Sequence, residues 1–237
     1  VSIVKMLEET FEIPTFLQND ADAGALAEWK FGAGMGTKNM VFLTFGTGMG
    51  AGLILNGALY SGACGCAGEV GHIRLMDCGP IGYGKEGSFE GFCSGGGIAQ
   101  LGQMYARELL QKGQIPSYCS GTQMLETITA KGIADSANDG HSDAIYVYRR
   151  CGQMLGKGLS ILVDLLNPEK IIIGSIFARC EHLLRAEMQQ VMEKECLTMN
   201  ASACKIVPAA LGESIGDIAA LSVAINGLVG RGRMDDE

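Results

Sequence analysis

A candidate for acid–base chemistry stands just before a helical pattern near the start of the chain. Asn19 and Asp20 follow the short run at residues 15–18, which predicts a strand, and a helix is predicted over residues 22–31. Folds of alternating strands and helices place reacting groups at such strand ends. Asp20 is therefore a candidate general base that takes a proton from an attacking hydroxyl. The alternative, which the local pattern by itself favours, is that Asp20 or Asp22 only caps the helix.

A glycine-rich turn further along the chain is a candidate phosphate site. The apolar run Met40–Phe45 is broken by Gly46-Thr47-Gly48-Met49-Gly50, and apolar residues resume at Leu53. Glycine reaches positive φ without steric cost, so the pattern predicts two strands around a tight turn. Backbone N–H groups in such a turn can cradle a phosphate. The Gly-Lys-Ser/Thr of a Walker loop does not follow, and a plain hairpin is the alternative.

A carboxylate and the first histidine of the chain come next, at Glu69 and His72. They could hydrogen-bond a polyol or ligate a metal, although a lone Glu-x-x-His is more often ordinary loop chemistry. A second metal hypothesis is a Cys-x-Cys pair with a nearby histidine, which can bind zinc. It would use Cys64, Cys66, His72 and Cys78. Their spacing is unusual for a closed tetrahedral site, which favours the alternative that no metal binds there.

The elements that would position these residues alternate between strand and helix, which predicts an α/β fold with a mixed sheet. Helices are predicted by three- and four-residue apolar spacing: residues 1–11, 22–31, 89–111 with a break at 95–97, 122–135, 142–166, 180–195 and 215–228. Strands are predicted at residues 15–18, within a hairpin at 38–55, and at 58–60, 72–76, 170–173 and 205–208. Residues 77–87 are predicted to be a loop and residues 231–237 a frayed tail.

Composition excludes several classes of protein. The net charge of −8 over 237 residues argues against a nucleic-acid partner, which needs clustered Lys and Arg. Residues 161–177 are the best membrane candidate, but five charged or helix-breaking residues interrupt them, so a soluble protein is expected. Nine cysteines, an odd number, in a chain with no basic, apolar leader favour reduced thiols and a cytoplasmic location.

The order of these motifs resembles the ROK family of sugar kinases and related repressors. The similarity extends over nearly the whole chain and rests on seven segments: residues 19–23, 31–34, 46–50, 67–72, 87–90, 155–159 and 167–174. Each segment is weak evidence by itself, but their combination in this order is highly specific.

The resemblance implies an actin-like ATPase, ribonuclease-H-like fold and transfer of the γ-phosphoryl group of ATP to a sugar hydroxyl. By position, Asp20 would be the catalytic base, and the sugar hydroxyls would be held by Asn19, Glu69, His72 and Glu90. The phosphates would face Gly46, Thr47 and Gly48, and the nucleoside would lie near Gly174 and Ser175. Mg²⁺ would arrive with the ATP and need few protein ligands.

Three departures from the family pattern accompany the resemblance. No phosphate-loop lobe precedes Val1, so residues 1–18 are expected to be a remnant of a small lobe and residues 19–212 the large lobe. The helix in residues 213–237 is expected to pack toward the small lobe, and the residues after this helix form the tail.

Second, the family often builds a zinc site from the Gly-His histidine and three cysteines. Their positions hold Ile81, Tyr83 and Ser88, so no structural zinc is expected. Third, Asp22 replaces the usual asparagine.

Two other functions stay open on the sequence alone: a sugar-binding transcriptional regulator of the same family, and a catalytically incompetent fragment. Asp20 and the Gly-Thr-Gly turn favour the kinase. The terminal helices would expose apolar faces without the small lobe, so a homodimer is expected.

Overall fold

The computed structural model describes the backbone of residues 2–234 and the side chains of residues 2–229. The helices are α1 (Ile3–Phe11), α2 (Asp20–Phe31), α3 (Phe89–Phe92), α4 (Gly95–Gln111), α5 (Ala130–Asn138), α6 (Ser142–Leu166), α7 (Ile176–Glu195), α8 (Thr198–Ala203) and α9 (Ile215–Met234). The strands are β1 (Met40–Phe45), β2 (Met49–Leu55), β3 (Ala58–Leu59), β4 (Ile81–Gly82), β5 (Lys85–Glu86), β6 (Lys170–Ile173) and β7 (Lys205–Pro208).

The central sheet is mixed and has the strand order β3-β2-β1-β6-β7. Three strands, β1 to β3, are antiparallel, and β6 and β7 extend the sheet in parallel with β1. The middle strands β1 and β6 are covered on both faces, which explains why their sequences are almost entirely apolar, with Thr44 and Lys170 as the exceptions.

The two faces of the sheet support two cores. On one face Val41, Leu43 and Phe45 pack with residues from α3 to α7 in the larger core. On the other face Met40 and Phe42 pack with Ala25 and Leu26 of α2, and residues of α9 lie against this group. The successive residues of β1 alternate between the cores because strand side chains alternate in direction. The sheet is therefore the middle layer of three, and its strand ends remain open at the edge.

Most of the predicted elements are confirmed. The hairpin β1–β2, the short β3, the strands β6 and β7 and the helix α6 occur where the pattern predicts them, and α6 has the predicted bounds. Residues 89–111 are divided into two helices as predicted, but the break lies at Cys93 and Ser94 rather than at residues 95–97, which form the first turn of α4. The buried hydroxyl of Ser94 caps α4 at this point.

The strand predicted at residues 15–18 is wrong. These residues are extended coil, because no strand in residues 2–234 lies beside them to form a ladder. Phe16 instead packs on α9, where a side chain on Gly227 would come within 2.2 Å of the ring.

The strand predicted at residues 72–76 is also wrong, and the predicted loop at 77–87 contains two short strands. A 3-10 helix, Val70–His72, precedes a single bridge between Arg74 and Ser88. The hairpin β4–β5 forms inside the predicted loop. Its two central residues, Tyr83 and Gly84, both have positive φ, of 44° and 75°, as the tightest hairpin turns require.

Smaller corrections concern the second half of the chain. Residues 122–127 form a 3-10 helix and α5 runs further than predicted, whereas α7 begins four residues before the predicted start. The helix α9 continues to Met234, so the frayed tail is wrong for residues 231–234 and residues 235–237 lie outside the described part. Within the described part of the chain, the stretch long and apolar enough to cross a membrane by length and composition is Gly212–Val229 rather than residues 161–177. Its mean hydropathy is 1.2, and 11% of it is buried.

Candidate active site

The start of α2 lies against the hairpin β1–β2, and this close contact positions the candidate base. Glycine at position 52 makes the contact feasible, since a Cβ there would lie 2.4 Å from the backbone oxygen of Ala21. The side chain of Asn19 caps α2 by accepting hydrogen bonds from the N–H groups of Ala21 (2.9 Å) and Asp22 (3.5 Å). The cap is thus Asn19, and the alternative that Asp20 or Asp22 provides it is wrong. Asp20 is exposed, and its Oδ1 accepts a hydrogen bond from Ala21 N.

A cavity of about 400 Å³, the Asp20 cavity, opens beside this helix start. Its lining brings together seven of the predicted site residues: Asn19, Asp20, Gly46, Thr47, Gly48, Glu69 and Glu90. The turn Gly46–Gly48 joins β1 to β2, and Gly46 N donates to the Gly48 carbonyl (3.1 Å). A Cβ on Gly48 would lie 2.9 Å from Glu90 Oε2, so a larger residue there would displace this carboxylate. Carboxylates and backbone amides therefore meet in one polar space.

His72 lies in an adjoining space of about 430 Å³, the His72 cavity, which shares Met49, Glu69 and Glu90 with the Asp20 cavity. Glu90 connects the two, because its Oε2 accepts a hydrogen bond from Met49 N (2.9 Å) at the start of β2. The segment around Glu69 is fixed on β2 by the hydrogen bond from Ala51 N to the Gly68 carbonyl (2.9 Å). The four predicted sugar-binding residues thus line two neighbouring cavities that share lining residues.

A third space of about 770 Å³, the Ser175 cavity, begins on the other side of the glycine turn. Gly46 and Thr47 line both this cavity and the Asp20 cavity. Ser175 precedes α7 with φ of 53° and ψ of −111°, a conformation that costs free energy for a residue with a side chain. Gly174 does not line these three cavities; it is buried, and its N–H donates to the Leu43 carbonyl (3.0 Å).

Two further lining residues stand in no motif that the sequence analysis could use. Arg179, one helical turn into α7, lines the Ser175 cavity, and its Nη2 donates to Ser175 Oγ (3.3 Å). Tyr83 lines the His72 cavity. The Gly-Tyr-Gly sequence around Tyr83 indicates a turn, but nothing local indicates which cavity the turn faces.

The zinc site that the family resemblance implies does not fit the residues present. Ile81 offers no donor atom, and Ser88 is fully buried, where its Oγ accepts a hydrogen bond from Gly91 N (3.1 Å). The ring of His72 meets the Tyr83 ring edge to face, with centroids 5.3 Å apart. Among the side chains of residues 2–229, no three of His, Cys, Asp or Glu group together as metal ligands, so Cys64, Cys66, His72 and Cys78 are not assembled either.

Together, the fold and the site define a class of protein. Three antiparallel strands extended by two parallel ones give a ribonuclease-H-like sheet. At the strand ends, the glycine turn lies between the polar cavity that contains the Asp20 carboxylate and a larger cavity. Such a protein can hold a polyhydroxylated ligand next to a phosphorylated one.

Comparison with known proteins identifies the family. The ROK family profile matches residues 1–226, and the chain belongs to this family. A glucokinase from Halalkalibacterium halodurans is 34% identical over 214 residues, which cover 90% of the chain and 64% of that relative.

Solved structures of the family have the same fold. A ROK transcriptional regulator, a homologue of the Escherichia coli MLC protein, superposes with a TM-score of 0.80 at 26% identity, covering 94% of the chain and 55% of the regulator. A ROK glucokinase from Streptomyces griseus, in complex with glucose and AMPPNP, superposes with a TM-score of 0.74 at 26% identity. That match covers 92% of the chain and 70% of the glucokinase. The expected actin-like ATPase fold is confirmed, and the chain spans less than two thirds of its glucokinase relative from Halalkalibacterium.

Proposed function

We propose that this chain forms the larger part of an ATP-dependent sugar kinase that phosphorylates a hexose or an N-acetylhexosamine. The sugar binds in the Asp20 and His72 cavities, where Asn19, Glu69, His72 and Glu90 hold its hydroxyls. The phosphates of ATP lie against Gly46, Thr47 and Gly48, and the nucleoside occupies the Ser175 cavity. Mg²⁺ enters with the nucleotide.

The observation that carries this proposal is the position of the glycine turn between the two ligand spaces. Gly46 and Thr47 line both the Asp20 cavity and the Ser175 cavity. A phosphate bound at the turn would therefore face the carboxylate of Asp20 from the nucleotide side. Phosphoryl transfer needs alignment and charge stabilisation more than covalent help from the protein.

The role of Asp20 follows from its surroundings. Its carboxylate is exposed to the cavity at the first residue of α2, where the helix N-terminus favours a negative charge. An ionised carboxylate is an acceptor only, so it can take the proton of the attacking sugar hydroxyl. Asn19 caps the helix through its side-chain oxygen, and the residue also lines the same cavity.

The second candidate function is a sugar-responsive transcriptional regulator. The structural similarity to the ROK regulator supports it, since that match has a higher TM-score than the match to the Streptomyces glucokinase. A regulator needs the sugar cavities but not the transfer of a phosphoryl group. Retention of the carboxylate at position 20 beside the glycine turn favours the kinase.

The experiment that separates the two functions is a phosphorylation assay on the complete product of the gene. Glucose, N-acetylglucosamine and N-acetylmannosamine would each be incubated with ATP and Mg²⁺, and phosphate transfer would be followed by ³¹P NMR. The kinase proposal predicts one or more sugar phosphates and stoichiometric ADP. Calorimetric binding of a sugar without consumption of ATP would contradict it and support the regulator.

A further inference from the structure

The short hairpin β4–β5 contributes Tyr83 to the lining of the His72 cavity, and side chains of the protein hold the hairpin in place. Gln100 on α4 makes two hydrogen bonds to Ile81, from Ile81 N to its Oε1 and from its Nε2 to the Ile81 carbonyl, both 2.9 Å. Arg74 Nη1 donates to the Glu86 carbonyl on the other strand (2.7 Å). Both strands of the hairpin are therefore fixed to the body of the protein.

The tip of the hairpin is attached to the sugar side of the site. Lys85 Nζ donates to the His72 carbonyl (2.6 Å), and the Tyr83 ring packs edge to face on the His72 ring at an interplanar angle of 86°. These contacts occupy the region where the family resemblance implies a zinc ion. The hairpin is thus positioned by hydrogen bonds and ring packing.

The side chain of Tyr83 is 85% exposed although its ring touches His72. A large aromatic ring held open at a cavity is available to be covered by a ligand. Tyr83 adds a phenol ring to a lining that otherwise offers the carboxylates of Glu69 and Glu90, the His72 imidazole and small or sulfur-containing groups. Polar groups suit the hydroxyls of a sugar, and a ring suits the apolar C–H face of a pyranose.

We infer that Tyr83 is a specificity-determining residue whose ring packs against the pyranose at the end remote from the hydroxyl that loses its proton to Asp20. This inference rests on the proposed function. Tyr83 lines the His72 cavity, whereas Asp20 lines the neighbouring one, and the two spaces share Met49, Glu69 and Glu90. A sugar that reaches Asp20 and His72 therefore presents its far end to Tyr83.

The test measures binding of glucose and of N-acetylglucosamine to the complete gene product by calorimetry. Tyr83→Ala is expected to weaken the binding of the preferred sugar about tenfold, the scale of one well-packed aromatic contact, and to change the ratio of the two affinities. Tyr83→Phe keeps the ring and is expected to stay within about twofold. Tyr146→Ala, which removes a half-exposed tyrosine that lines none of the three cavities, is the matched control.

A second readout separates direct contact from a role in holding His72. In protein that is deuterated except at its tyrosine rings, intermolecular NOEs from ring protons to the C–H protons of glucose are expected, and Tyr83→Ala should abolish them. Two outcomes would overturn the inference. The first is that Tyr83→Ala binds both sugars with unchanged affinity. The second is that Tyr83→Ala binds more weakly but the wild-type protein gives no NOE between a tyrosine ring and glucose. Loss of glucose binding after EDTA treatment, restored by Zn²⁺, would overturn the metal-free positioning of the hairpin.

The failure of the proposed function has a different signature. A wild-type protein that binds neither sugar would overturn the sugar kinase proposal and this inference together. A wild-type protein that binds and phosphorylates a sugar, with Tyr83→Ala indistinguishable from it, would overturn the role of Tyr83 alone.

Discussion

Asp22 holds a buried carboxylate whose two oxygens have different surroundings. Oδ2 accepts hydrogen bonds from Gln18 Nε2 (2.6 Å) and Ser61 Oγ (3.1 Å), whereas Oδ1 has no hydrogen-bond partner among the described residues. Burial raises the pKa of Asp22 above its ordinary value, and the hydrogen bonds from Ser61 and Gln18 offset this only in part. The charged form is therefore less favourable in the folded protein than in the unfolded chain.

This carboxylate makes stability depend on pH in a predictable direction. An acid whose pKa is higher in the folded protein than in the unfolded chain stabilises the fold in its protonated form. This contribution is fully present below the pKa in the unfolded chain, about 3.9, and is lost as pH rises through the pKa in the folded protein. Asp22→Asn removes the charge, so we expect the variant to gain stability relative to wild type between pH 4 and pH 7. Urea unfolding at both pH values measures this gain. A difference between variant and wild type that does not change with pH would contradict this expectation.

Arg179 gives a second prediction for a single residue, in the nucleotide part of the site. Its guanidinium donates to Ser175 and lies 3.9 Å from Glu213, whose side chain is fully exposed. Such a surface ion pair is weak, so the arginine is available for a phosphate. Arg179→Gln is expected to weaken binding of AMPPNP about tenfold, as for a lost hydrogen bond to a charged group, and to leave sugar affinity within about twofold.

Calorimetry with AMPPNP and with glucose tests this. Glu213→Gln is the matched control, because it removes the partner of Arg179 but keeps the cation, and it should bind AMPPNP at least as well as wild type. Equal AMPPNP affinity in Arg179→Gln and wild type would show that Arg179 does not contact the nucleotide.

At the scale of elements, Glu28 links α2 to the segment that leads into α9. Its carboxylate is fully buried and accepts hydrogen bonds from Ala33 N (2.8 Å) and Leu211 N (3.0 Å). Leu211 lies 183 positions after Glu28 in the chain. A Cβ on Gly32 would lie 2.1 Å from Oε2, so the glycine after α2 makes room for the carboxylate. This link fixes the end of the helix that carries Asp20 at its start.

Removing the link should destabilise the fold. Glu28→Ala leaves two partly buried N–H groups without an acceptor, and each costs about 1–3 kcal/mol when desolvated. We expect the free energy of unfolding to fall by about 2–4 kcal/mol, measured by urea denaturation. Glu126→Ala, which removes an exposed carboxylate, is the control and should stay within about 0.5 kcal/mol. Similar stability of the two variants would mean that the link does not hold the fold.

Sequence patterns predict those elements whose burial is regular. The apolar runs of β1 and β6 indicate buried strands, because both faces of the sheet are covered there. The apolar spacing of α6 indicates a helix, because one whole face of it is covered. Residues 15–18 and 72–76 have strand-like composition, but no strand of residues 2–234 forms a ladder with them, which no local pattern reveals. The hairpin β4–β5 depends on positive φ at Tyr83, a residue with no intrinsic preference for it.

The residues of the candidate site likewise fall into those that the sequence predicts and those that only the fold brings to the cavities. Asp20, Glu69, His72 and the glycine turn stand in motifs, so the sequence itself marks them as candidates. Tyr83 and Arg179 reach the cavities only because a hairpin and a helix pack there, and Gly174 matches a motif but lines none of the three cavities. The roles of all these residues remain proposals.

At the scale of the whole molecule, the terminal helices expose an unusual amount of apolar surface. None of the residues of α1, Ile3–Phe11, is buried, and Ile3, Met6 and Phe11 are each more than half exposed. On α9, Leu221, Leu228 and Val229 are more than half exposed as well. Contiguous exposed apolar surface favours association with another surface. The homodimer expected from the sequence stays a prediction, as does the division into lobes.

The chain spans 64% of its glucokinase relative, and phosphoryl transfer needs both substrates to be aligned. We therefore expect the 237-residue chain by itself to self-associate and to have negligible kinase activity. Light scattering on the chain should give a mass above that of a monomer, and the double substitution Met6→Glu and Phe11→Glu should shift it toward the monomer. Leu165→Glu, at a similarly exposed leucine on α6, is the control and should not. A monodisperse monomer with full activity would contradict this view of the molecule.

The central claim is that Asp20 takes the proton of the sugar hydroxyl, and one measurement tests it most directly. In the complete gene product, kcat and the sugar Kd would be measured for Asp20→Asn, with Asp139→Asn, an exposed aspartate after α5, as control. We expect that kcat falls by about 10²–10⁴-fold in Asp20→Asn, that its sugar Kd changes by less than about threefold, and that the control keeps full activity. Near-normal turnover in Asp20→Asn would contradict the claim.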